Sequence, residues 1–189
     1  MRPGAEFFSA IGGGEDPARL REAADLTANL LVRGARGSGD PELAERVLHL
    51  ADTEGIETIA EVWSGSPADS LAGCLWRLFL LRSWVHADPA GVAREYDAGM
   101  TRAPVARVVA GVADPPGPDE LRAMVDEVLR GIVASDFADV LFRAAAFARV
   151  VATGRAGLAS STEDDVHRML ALAEQLEAAG HEELAHGLS

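Results

Sequence analysis

Lysine is absent from the 189-residue chain, and all 17 basic residues are arginine. That excludes a Schiff-base lysine, a phosphate-loop lysine and a lysine general base together. Side-chain amides are reduced to Asn29 and Gln175, and phenols to Tyr96. A polar active site therefore has few residue types to draw on. The one cysteine, Cys74, has no partner for an intrachain disulfide, and the N-terminus lacks a signal-peptide pattern. Both features lead us to expect a cytoplasmic protein. Aromatic residues make up 5% of a chain that is 48% hydrophobic, so the core has to be built mainly from Leu, Val and Ala.

Abundant Ala, Gly, Val and Arg without Lys also points to a GC-rich bacterial genome. A chain of this length can bury one core without disulfides or metals. The net charge of −13 disfavours nonspecific binding to nucleic acid or to anionic membranes. The charge is uneven. Asp40 to Glu61 holds seven acids against Arg46, and Glu163 to Glu183 holds seven against Arg168. By contrast, Arg77 to Arg107 has five arginines against three acids, and Arg143 to Arg155 has three against none. This pattern suggests acidic outer helices beside arginine-bearing inner ones, because arginine suits partly buried pairs.

Residues 1–15 contain Phe7, Phe8, Ile11 and Gly12-Gly13-Gly14 and read as a flexible leader; residues 16–189 read as a single helical domain. Within it, a capping residue followed by proline recurs at Asp16-Pro17, Asp40-Pro41, Ser66-Pro67 and Asp88-Pro89. Proline at the first helical position lacks a donor that would go unused, and the preceding side chain accepts free amides. Ser66 with Asp69 and Thr162 with Asp165 have capping-box spacing. Apolar residues at helical intervals follow each start, and no period-2 run long enough for a strand occurs. The expected fold is an all-α, single-domain bundle of about 8–9 helices. Its centre is expected to be a buried helix near residues 67–86, because the stretch Leu71 to Val85 is apolar on nearly every side. Arg77 and Arg82 interrupt that stretch, which is also too short to cross a bilayer.

Catalytic and metal motifs do not survive inspection. Val47 to Trp63 has the outline of a helix-turn-helix, but its second helix carries Glu57 and Glu61, the wrong sign for facing phosphate. His181 and His186 are five residues apart and point ~140° from each other on a helix, so they cannot share one ion. Cys74 has no base near it in sequence, and no serine sits in a nucleophile elbow. No catalytic residue, metal ligand or cofactor is assigned.

Two features carry functional expectations. Wide apolar faces on the central helix and on the Phe137 helix suit a partner helix or a twin subunit. Arg77 and Arg82 need carboxylates, since an unpaired buried charge is costly; Asp69, Asp97 and Asp139 are candidates. Alternatively Arg77, Arg82, Trp76, Trp84 and Tyr96, with Arg107 or Arg149, frame a pocket for an anionic, partly apolar ligand. The first expectation is therefore a non-catalytic protein acting by protein–protein contact as a homodimer. The alternative is a small-molecule-binding or regulatory helical domain, and an enzyme assembled from distant helices comes third.

Overall fold

The computed structural model describes residues 17–34, 60, 62–102, 117–134, 136–159 and 161–188. The expected leader, the helix expected from Asp40-Pro41, nearly all of the helix-turn-helix stretch and the segment 104–112 lie outside these residues. Six α-helices occur among the described residues: α1 (Pro17–Asn29), α2 (Leu71–Ala87), α3 (Pro89–Arg102), α4 (Pro118–Ala134), α5 (Phe137–Arg155) and α6 (Glu163–Ala185). A π-helical turn, Leu30–Gly34, extends α1. No strand occurs among the described residues, and the fold is an all-α bundle.

Local chemistry explains most helix starts. α1 and α3 begin on Pro17 and Pro89, and the Asp88 carboxylate accepts the Gly91 amide at 2.9 Å. Thr162 and Asp165 form a reciprocal capping box at the head of α6. Asp136 caps α5 by accepting from the Ala138 amide. The expected start at Ser66-Pro67 is displaced: α2 begins at Leu71, with Ser70 as its cap. The reason is a tight turn. Pro67 folds back so closely that a Cβ on Gly73 would lie 1.7 Å from the Pro67 carbonyl oxygen, and Ser70 is the residue placed to accept the Gly73 amide.

The expectation of about 8–9 helices around a buried helix at 67–86 is corrected. The described residues hold six α-helices, and α2 is not enclosed. It buries Leu71, Leu75, Leu78, Leu81 and Val85 on one side. On the other side Leu80 is 41% exposed, and Trp76, Phe79 and Trp84 are half-buried. The most buried helix is α5, with twelve of its 19 residues inside. It packs against α2, α3, α4 and α6. Small residues on α5, Ala144, Ala145, Ala148, Ala152 and Gly154, let it lie close to its neighbours.

Two glycines fix how closely α3 and α5 cross. Where α3 meets α5, a Cβ on Gly99 would lie 1.9 Å from the Val150 carbonyl oxygen, and one on Gly154 would lie 1.7 Å from that of Glu95. Side by side with this contact, Tyr96 stacks on Phe147 at 5.4 Å between ring centroids. Elsewhere, Arg33 on the π-helical turn forms a two-pronged ion pair with Glu183 of α6, at 2.6 and 2.8 Å. The same carboxylate accepts the Leu188 amide, and Arg33 also donates to the Leu188 carbonyl. The turn after α6, with Gly187 at φ +76°, is thereby tied back onto α1.

Tyr96 is fully buried, and its hydroxyl has no hydrogen-bond partner among the described residues; burial also pushes its phenol pKa up. Leaving a buried hydroxyl unsatisfied costs about 1–3 kcal/mol. Tyr96→Phe keeps the ring stack and removes the stranded group, so the expected result is unchanged or raised stability in chemical denaturation. A clear loss would show that the hydroxyl is bonded in solution.

Candidate functional site

The side chains expected to frame one pocket are distributed over several places. Arg82 donates from Nε to Asp126 of α4 at 2.8 Å, and His86 Nε2 meets the same oxygen at 3.1 Å. Arg77 pairs with no carboxylate among the described residues. It donates instead to the Gln175 amide oxygen at 2.7 Å and to the Gly73 carbonyl at 2.8 Å. Burial lowers its pKa, against the opposing influence of Cys74 and Asp69. Neither Asp97 nor Asp139 partners these arginines. Arg149 pairs with Glu177 on the exposed side of α5 and α6. Trp76 lies against Phe79 on the outer face of α2, Tyr96 is in the core, and Arg107 lies outside the described residues. Cys74 is buried and pushed up to about 12 by desolvation, so it is an inert thiol at neutral pH.

Trp84 is the exception. Its ring lies under the Arg155 guanidinium, 4.5 Å from centroid to central carbon. Arg155, at the end of α5, borders a cleft of about 400 Å³. One wall is the first turns of α3, presenting Asp88, Gly91, Arg94 and Glu95. The α5–α6 connection supplies Leu158 and Ser161, and the first turn of α6 supplies Asp165. The local reason is periodicity: Asp88, Gly91 and Glu95 recur at helical spacing and so share one face of α3.

Most charges in this cleft are already committed. Glu95 accepts from Arg155 Nε at 2.9 Å, with both side chains largely buried. Asp88 caps α3. Asp165 accepts from the Thr162 hydroxyl at 2.6 Å and from Arg168 at 3.0 Å. Thr162, and to a smaller extent Arg168, holds the Asp165 carboxyl below its usual range. Arg155 also reaches the Asp165 carbonyl at 3.4 Å. Arg94 is exposed at the rim, and among the described residues it has no ion-pair partner. Three carboxylates and two arginines line the cleft: Glu95 pairs with Arg155, Asp165 pairs with Arg168 outside the lining, Asp88 is held by a backbone amide, and Arg94 has no ion pair among the described residues.

The sequence expectations missed Arg94, Glu95, Arg155 and Asp165. The arginine-only run from Arg143 to Arg155 was the available signal, since a run with no acid of its own must find partners elsewhere in the chain. Among the described residues, no three His, Cys, Asp or Glu side chains cluster as a metal site, and no helix is long and apolar enough to cross a membrane. Comparison of the chain with protein-family models, curated proteins and solved structures finds no match.

Proposed function

We propose that the protein is a single helical domain that binds a small anionic, partly apolar molecule in the cleft between α3, the end of α5 and the head of α6. The observation that carries this reading is the charge pattern of the cleft. Each carboxylate there accepts a hydrogen bond, and Arg94 at the rim is a cation with no ion pair among the described residues. The cleft is concave and mainly polar, and Leu158 supplies an apolar contact for such a ligand. Of the side chains that the sequence suggested for a pocket, Trp84 lies near this cleft, beneath Arg155, an arginine outside that set. Arg77, Arg82, Trp76 and Arg149 serve other contacts.

The test is a thermal-shift screen of small organic acids against amines and neutral compounds of matched size. A ligand at a hundred times its Kd stabilises by about 2.7 kcal/mol. The expected result is stabilisation by one or more acids in the wild type and its loss in Arg94→Ala. Stabilisation confined to amines, or persisting in Arg94→Ala, would overturn the reading.

A second reading, self-association or partner contact without catalysis, is favoured by the outer face of α2. There Trp76 and Phe79 lie 5.7 Å apart and Leu80 is 41% exposed. A doubled mass in solution is its signature.

A further inference from the structure

Arg155 is held in a way that goes beyond a structural ion pair. A guanidinium has five N–H donors in one plane. Nε–H is used by Glu95 and one Nη1–H by the Asp165 carbonyl, while one face of the plane lies on Trp84. Among the described residues the other three Nη donors have no partner. The side chain is only 12% exposed, yet it borders the cleft. The group is thus fixed on one face and one edge, and its charge is balanced by Glu95. Few side-chain rotamers are left to lose when a ligand arrives, which favours binding.

We propose that the free Nη edge of Arg155 is the specificity element of the cleft: it takes an oxyanion, a carboxylate or a phosphate, through parallel N–H···O bonds. This rests on the cleft being the binding site. Trp84 and Glu95 are positioning residues that set the plane of the fork. Arg94 supplies charge from the rim. A planar fork matches the paired oxygens of a carboxylate or phosphate, whereas an ammonium acts as a point charge. Shape at position 155 and charge at position 94 are therefore separable properties.

The experiment is an NMR titration of the arginine side-chain N–H signals with inorganic phosphate, with acetate, and with chloride at matched ionic strength. Saturable shifts of the Arg155 signals with phosphate or acetate, but not with chloride, are expected. Which of the two binds more tightly identifies the headgroup. Arg155→Lys should weaken binding of the preferred anion about tenfold, whereas Arg94→Lys should keep it within about threefold. Trp84→Leu, which leaves the charge in place, should also weaken binding and broaden the Arg155 signals. Equal effects of lysine at both positions would overturn the proposal, as would shifts that chloride reproduces. If neither anion binds while an acid from the thermal screen still depends on Arg94, the Arg155 assignment fails and the cleft reading stands. If neither anion nor any acid binds, both fail.

Discussion

Gly154→Ala is expected to lower the stability of the fold by about 2 kcal/mol, although alanine is the better helix former. The gain in helix propensity is about 1 kcal/mol. Against it stands overpacking, which costs about 3 kcal/mol at its upper range in a well-packed core. The upper range applies because the added methyl would meet backbone: the Glu95 carbonyl oxygen at 1.7 Å and the Gly99 nitrogen at 2.9 Å. A side chain could rotate away, but here two helices must separate. Glu95 stands at this crossing and carries the carboxylate that holds Arg155, so the substitution should also loosen the cleft. Gly65→Ala is the control, since nothing among the described residues lies within 4 Å of its added Cβ. Urea denaturation should show a lower midpoint for the first variant and little change for the second. Equal midpoints would mean that α3 and α5 do not approach as closely as described.

Among the described residues, the Arg33–Glu183 pair should give the largest effect of any single polar contact. The Glu183 side chain is 4% exposed and that of Arg33 is 34% exposed. Removing one partner from a buried pair costs about 3–5 kcal/mol, chiefly by stranding the other charge. The asymmetry in burial decides which loss is worse. Arg33→Met takes the two-pronged Arg33 contact from a deeply buried carboxylate and should cost about 3 kcal/mol. Glu183→Met leaves an arginine that water can reach and should cost less. The double variant should recover much of the loss, because two apolar side chains replace two desolvated ions. Urea denaturation of the two single variants and the double variant checks this; a double variant no more stable than Arg33→Met would indicate that the loss comes from packing and not from charge.

Local signals were legible in the sequence where chemistry and position coincide. Asp88-Pro89 and Thr162 with Asp165 opened helices as their side chains demand, because a cap needs only residues within one turn. Ser66-Pro67 failed for a reason of the same scale. A second serine at position 70 competes for the cap, and Gly73 allows the chain to fold back. The weight placed on α2 failed on a longer scale. Its hydropathy is real, but enclosure depends on how closely neighbours approach, and that is governed by Gly99, Gly154 and the alanines of α5.

The candidate site was the least legible part. Trp84 was identified, but its partner Arg155 lies 71 positions further along the chain, and Glu95 contacts Arg155 across 60 residues. Arg33 and Glu183 meet across 150. Apolar periodicity reports which face of a helix turns inward, not which helix it will meet. Arginines seen together in sequence, such as Arg77 and Arg82, go to different partners on α6 and α4. The Arg155 environment could have been narrowed by asking which basic run lacks local acids. Its acid could not have been named, since Glu95 is one of many in an acidic chain.

The most direct test of the cleft as a binding site is the native mass of the protein isolated from its host, measured before and after denaturation, for the wild type and Arg94→Ala. The expected result is a small-molecule mass that accompanies the folded wild type, leaves on unfolding, ionises as an acid and is missing from the variant. A bare chain mass in the wild type, or an adduct retained equally by Arg94→Ala, would contradict it.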